Sequence, residues 1–249
     1  MPDTPNYGFY RNPRFSVNHL AEYLSTTNAG QRERVIRAAK FPRKVTVVPY
    51  SRSRRIICNF MGANIGDVAY FDSHLARLEA RLRREADGWM QDELRRNIDA
   101  IKAFKRAFIR RRGRRYIFTP GPTDLTMALE GVRINTRLDV GVTEADRDDV
   151  TYSGGCVMYI AKGDAARRNI ADRRKAVAST IQWALEHANP NIEPLPRLCM
   201  SFDVFGGEIV KAPAGTGRFR GHVASACREV ATRWDGVEPP PGYDGPDWR

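Results

Sequence analysis

Asp203, Glu208 and Lys211 have types and spacing that chemistry could use. They flank Gly206-Gly207, a pair of glycines that suits a tight hairpin turn. Strand residues directly opposed across a hairpin approach to about 5 Å. A carboxylate pair beside an ammonium group is therefore within geometric reach, and such a pair can hold a hard divalent cation. The plainer expectation is a set of solvated charges at the edge of a turn. A second acidic group, Glu144, Asp146, Asp148 and Asp149, lacks the glycine and the terminal glutamate of a calcium loop. It reads as a solvated turn.

Spacing argues against most other chemistries. Cys58, Cys156, Cys199 and Cys227 are scattered, with no CxxC pair, so a zinc ribbon is not expected. They read as reduced thiols of a cytoplasmic protein. His19, His74, His187 and His222 also lack ligand spacing. There is no GxxxxGK[ST], no GxGxxG after a strand and no GxSxG, which removes the usual phosphate-loop, dinucleotide and nucleophile-elbow readings.

The strongest signal is charge. The chain has 249 residues and a formal net charge of +12. Residues 1–119 carry 25 basic and 11 acidic side chains, net +14, while residues 120–249 carry 16 and 18, net −2. Solubility has no need of such one-sidedness, whereas a polyanion partner does. Neutralising phosphates releases counterions and drives binding without reading bases. The candidate nucleic-acid contacts are Arg52, Arg54 and Arg55, then Arg95, Arg96, Lys102, Arg106 and Arg110, then Arg111, Arg112, Arg114 and Arg115. From Lys102 to Arg115 there are eight cations and no acid. The partner is nucleic acid, DNA or RNA; an acidic protein partner is the competing reading. Tyr50, Phe60, Phe104, Phe108, Tyr116 and Phe118 lie near these stretches and could stack on bases, although Phe108 also fits an apolar stripe. Apolar content of 42% argues against disorder. No run of about 18 apolar residues suggests a membrane span, and the first residues show no signal pattern.

Local patterns position these groups. Ser16 caps a short helix with Val17, Leu20, Ala21 and Leu24 on one face. A second helix runs from Ala29 to Lys40 and stops before Pro42. Val45 to Val48 suits extended structure, and Arg52 to Met61 another helix. Asp72 or Ser73 starts a helix with Leu75, Leu78 and Leu82 inward, and Gly88 separates it from one running from Trp89 to about Arg111. There Met90, Leu94, Ile98, Ile101 and Phe108 share one face, while Arg95, Arg96, Lys102, Arg106 and Arg110 take the other. Thr119 to Thr123 is a Pro/Gly break. A boundary near 120 then separates a basic, mainly helical region (1–119) from an α+β region (120–237) and a loosely held tail (238–249). The second region reads as a short helix from Thr123 or Asp124 to Leu129, a strand over Val132–Val142, one strand or a bent pair around Gly154-Gly155 over Val150–Ala161, and a helix over Asp164–His187. The hairpin Leu198–Phe205/Glu208–Ala212 and a helix from Gly221 to Trp234 complete it.

The whole is α+β, with a helical first part and an α-β-β-β-α-β core in the second. Through that order, over residues 123–212, the chain resembles the restriction-endonuclease-like PD-(D/E)XK superfamily, most nearly its RecB-type branch. The resemblance implies a strand Asp and a (D/E)-x-Lys holding Mg²⁺ at a phosphate. Asp139, in Arg137-Leu138-Asp139-Val140, matches the strand Asp and would be the metal ligand. Lys162, closing Val157–Lys162, matches the Lys, and Gln182 resembles the branch's helix glutamine. Ile160 stands where the second carboxylate belongs, so the signature is degenerate, and Glu130 or Asp203 would have to supply the missing acid. An active enzyme would be a metal-dependent nuclease with Mg²⁺; otherwise no cofactor is expected.

Overall fold

The computed structural model describes residues 6–44, 48–110, 116–145, 151–162, 169–189, 191 and 193–248. Its elements are β1 (Arg14–Ser16), α1 (Val17–Leu24), α2 (Ala29–Lys40), α3 (Ser51–Gly62), α4 (Tyr70–Arg84), α5 (Gly88–Arg110), β2 (Ile117–Leu129), β3 (Val132–Ala145), β4 (Thr151–Tyr159), α6 (Ile170–Ala188), β5 (Cys199–Asp203), β6 (Glu208–Lys211) and α7 (Gly217–Trp234). The α+β class is as the sequence patterns predict. Among the described residues, no helix is long and apolar enough to cross a membrane.

One mixed sheet organises the chain. β2, β3 and β4 form an antiparallel meander, β5 lies parallel to β4, and β6 returns antiparallel beside β5. The segment between β4 and β5 contains α6, as a parallel crossover requires. The order helix, three antiparallel strands, helix, parallel strand is therefore present, with α5 as its first helix. β1 adds a short parallel strand along the first part of β3, Phe15 opposite Ile134. β4 takes the same edge further along, from Val140 opposite Cys156. The sequence division at 119/120 thus runs between segments that share one sheet.

Helices cover both faces. On one face α1, α2, α6 and α7 enclose a core that includes Phe15, Tyr23, Ile134, Ile181 and Trp234. On the other, α3, α4 and α5 enclose Ile57, Phe60, Phe71, Phe104, Val140 and Met158. Burial of this apolar surface is the main favourable term for the fold. The local signals behave as their chemistry dictates. The Ser16 hydroxyl accepts from the His19 amide at 3.2 Å, and the Asn28 side chain accepts from the Gln31 amide at 3.0 Å, each capping a helix start.

Two expectations are corrected. Residues 123–129 form part of β2 and not a helix. Leu125 and Met127 are buried while Asp124, Thr126 and Ala128 are exposed, a period of two, and pairing along β3 overrides the helix-favouring composition. The tail is anchored. The Asp244 carboxylate accepts from the Asn6 amide at 2.9 Å and from the Tyr7 amide at 3.1 Å, and the rings of Tyr243 and Trp248 pack against Phe41. Val45 to Val47 and Asp146, Asp148 and Asp149 lie outside the described residues.

Candidate functional site

Asp139 sits on β3 next to the last rung of the β3–β4 ladder. That ladder ends at Val140 opposite Cys156, so the next outward amide of β4 has no strand acceptor on this side. The Asp139 carboxylate supplies one: the Met158 amide donates to Oδ2 at 2.7 Å. On its other edge β3 meets a bulge in β2 between Pro120 and Thr123. A Cβ at Gly121 would come within 2.3 Å of the Asp139 carbonyl oxygen, so only glycine lets β2 approach there.

α3 delivers a cation to the same carboxylate. Ile56, Ile57, Phe60 and Met61 bury one side of this helix, and the Arg54 Nη1 donates to both Asp139 oxygens at 2.6 Å. Its Nη2 donates to the Met158 carbonyl at 3.1 Å. The Asp139 side chain is 8% exposed and that of Arg54 38%. Cys58, one turn after Arg54, has Sγ 3.9 Å from Oδ1. Burial, and then the Asp139 charge, push its thiol up to about 12. Burial, and then the same charge, also raise the Cys156 thiol.

The other candidate catalytic residues lie elsewhere. Lys162 donates to Asp99 of α5 at 2.9 Å, and that hydrogen bond raises its pKa above the ordinary 10.5. Glu130 is in the β2–β3 turn with φ +48° and accepts from Arg228 of α7 at 2.9 Å. It is nine residues along β3 from Asp139, about 30 Å, and it is not on a helix. Asp203 is held by Arg174 of α6 at 3.6 Å and accepts from the Gly206 amide at 2.9 Å. Its neighbour Phe202 points into the core beneath α3–α5, so Asp203 faces the α6 side while Asp139 faces α3. Gln182 donates to Glu186 at 3.2 Å.

The hairpin expectation fares differently. Asp203 and Glu208 are directly opposed, as the Gly206-Gly207 turn predicts. Gly207 has φ +67°, and a Cβ at Gly206 would fall 2.5 Å from the Asp203 Oδ2, so both positions suit glycine. The cation between the two carboxylates is Arg174, 3.6 Å from each and 2% exposed. Lys211 instead lies over the Tyr116 ring at 5.5 Å.

These residues do not fit a divalent metal. Asp139 already holds a guanidinium, Ile160 is buried in the core, Lys162 is engaged by Asp99, and Asp203 lies on the other face of the sheet. Among the described residues, no group of three metal-ligating side chains converges.

The predicted basic face is partly paired. Arg95, Arg96, Lys102, Arg106 and Arg110 are all exposed on α5. Arg95 meets Asp92 at 2.9 Å, Lys102 meets Glu79 at 2.8 Å, Arg52 meets Glu93 at 3.4 Å, and Arg54 is held by Asp139. Among the described residues, Arg55, Arg96, Arg106 and Arg110 have no carboxylate in ion-pairing range. Arg111, Arg112, Arg114 and Arg115 lie outside the described residues. The aromatic candidates are engaged in packing: Phe60 and Phe104 are each 1% exposed, and Phe60 stacks edge-on with Phe108.

Several residues are not marked by the sequence patterns above. Arg174 sits in Asp172-Arg173-Arg174-Lys175, a run that looks like a solvated face. Arg77, Arg81 and Arg84 of α4 are spaced one turn apart, and that spacing is the signal the sequence carries for them. No family model and no curated protein matches the sequence.

Proposed function

We propose that the protein binds nucleic acid through the phosphate backbone. The contacts are the solvent face of α5 and the basic run after it. The framework resembles a PD-(D/E)XK nuclease in which Arg54 takes the cation position. The observation that carries this reading is the outward set Arg95, Arg96, Lys102, Arg106 and Arg110, all exposed on one helix. Two of the five are in exposed ion pairs, with Asp92 and Glu79. Such pairs are worth about 0–1 kcal/mol, so a phosphate can replace either acid at little cost. The net +14 of residues 1–119 supplies the long-range attraction. The Arg54–Asp139 pair supports binding without metal-dependent cleavage. Four free thiols suit a reducing compartment, and the cytoplasm is the proposed location.

Electrophoretic mobility of duplex DNA, single-stranded DNA and RNA at about 50 and 200 mM salt tests the proposal. A shift at the lower salt that fades at the higher is expected. No shift at the lower salt overturns it, as does isolation with an acidic protein and no absorbance signature of nucleic acid.

A further inference from the structure

α4 sorts most of its charges by side, with the exposed Arg83 as the one cation on the side of the acids. Its acids Asp72 and Glu79 are turned to α5, where they pair with Lys105 and Lys102. Phe71, Leu75 and Leu78 are buried. Arg77, Arg81 and Arg84 lie on the far side, within an arc of about 60° at 100° per residue, and all three are exposed. None of the three is in an ion pair among the described residues. Ala80, between Arg77 and Arg81, is small. A surface helix that needed only solubility would mix signs on its outer face. This one turns its acids to its neighbour and leaves a row of guanidinium groups outward.

We infer that this α4 ridge is a contact site for a B-form DNA duplex, which deepens the proposed backbone binding and rests on it. From Arg77 to Arg84 the helix rises about 10.5 Å. That length lets the row of guanidinium groups meet more than one phosphate of a DNA strand. Guanidinium groups suit phosphate because they offer paired, planar donors. Along α4 the rings are engaged in packing, and the exposed Trp89 belongs to α5. Tyr70 packs on Phe60 and Phe71, and His74 packs on Tyr70. Single-strand binders rely on such rings, so a duplex fits better. The major groove of B-form DNA admits a helix, whereas that of A-form RNA is too deep and narrow.

The test compares R77Q/R81Q/R84Q with R34Q/K175Q/R218Q. The second set removes equal charge at exposed positions on α2, α6 and α7, the opposite helical layer. Binding of a fluorescent 20-base-pair DNA duplex, the matching RNA duplex and the single strands is titrated across salt. The α4 variant is expected to lose about tenfold or more in DNA-duplex affinity at low salt, and its salt slope to fall by about 2–3. The control set should change affinity by less than about threefold, and the all-Lys α4 variant, R77K/R81K/R84K, should recover most of the slope. Equal losses in the two Gln variants overturn the inference. So does wild-type binding to the RNA duplex or to single strands as tight as to the DNA duplex. Wild-type protein that binds none of these probes defeats the underlying backbone-binding reading instead.

Discussion

Arg54 and Asp139, 85 residues apart in the chain, meet through two 2.6 Å hydrogen bonds between α3 and β3. The guanidinium also grips the Met158 carbonyl, so three elements converge on one carboxylate. A nearly buried carboxylate must be neutralised or heavily hydrogen-bonded, and here the chain does both with its own groups.

Removing that cation should destabilise the fold. Arg54→Ala leaves Asp139 with the Met158 amide as its remaining strong donor. A loss of about 2 kcal/mol is expected, below the range for fully buried pairs because Arg54 is partly exposed. Urea unfolding measures it. Adding Asp139→Asn to Arg54→Ala should recover part of the loss, and strictly additive effects would contradict the coupling.

Asp139→Asn should leave plasmid integrity as it is for the wild type in Mg²⁺ or Mn²⁺. Cleavage by the wild type that the substitution abolishes would reinstate the nuclease assignment.

Lys40 makes a second prediction about buried charge. It is 3% exposed, and its Nζ donates to the carbonyls of Trp234, Asp235 and Val237 at 2.8, 3.2 and 3.0 Å. The first two of these carbonyls end α7, where a cation also complements the helix dipole. Lys40→Met should lower stability by about 3 kcal/mol, read as a shift in the urea midpoint. An unchanged midpoint would show that water satisfies the carbonyls equally well.

Two histidines should contribute to the acid response. Burial lowers the pKa of His19 below the ordinary 6.5, with Glu22 opposing and Arg14 reinforcing the shift. Burial lowers that of His74, and Arg77 adds to it. Below about pH 6.5 the unfolded chain therefore binds more protons at these positions than the folded one, and stability falls with falling pH. Unfolding free energies at pH 7.5 and 5.5 should differ less in the double variant His19→Gln/His74→Gln than in the wild type. An equal drop in both would assign the acid response to other groups.

The thiols should be quiet. Cys156, Cys199 and Cys227 are buried, and burial holds the thiols of Cys199 and Cys227 up at about 12. Cys58, half-buried, is raised as far. Because the thiolate is the nucleophile, an aromatic disulfide reagent at pH 8 should label native protein slowly and all four thiols rapidly in denaturant. Fast stoichiometric labelling of the native state would contradict the placement of Cys58 against Asp139.

Much of this architecture was legible locally. Ser16, Asn28 and Pro42 bound helices by backbone chemistry, the α5 stripe sorts apolar from basic by period, and Gly206-Gly207 marks its hairpin. What escaped reading depends on distant partners. Residues 123–129 become a strand only because β3 lies beside them. β1 is three residues long and too short to carry a pattern. The helical period places the five α5 cations on one exposed face, but it does not reveal the acids that meet two of them, Asp92 and Glu79. The sequence points to Asp139 as a strand carboxylate but to its partner Arg54 as a phosphate contact, since 85 residues of chain hide the pairing. Arg174 and Lys40 look like surface charges until the fold encloses them.

Salt dependence of binding to a DNA duplex is the most direct probe of the backbone-gripping account. A plot of log affinity against log salt from about 50 to 200 mM should be linear, with a slope steeper than about −4, and insensitive to the base sequence of the probe. A slope near zero, or affinity that survives high salt unchanged, would mean that phosphates are not what this cationic surface holds.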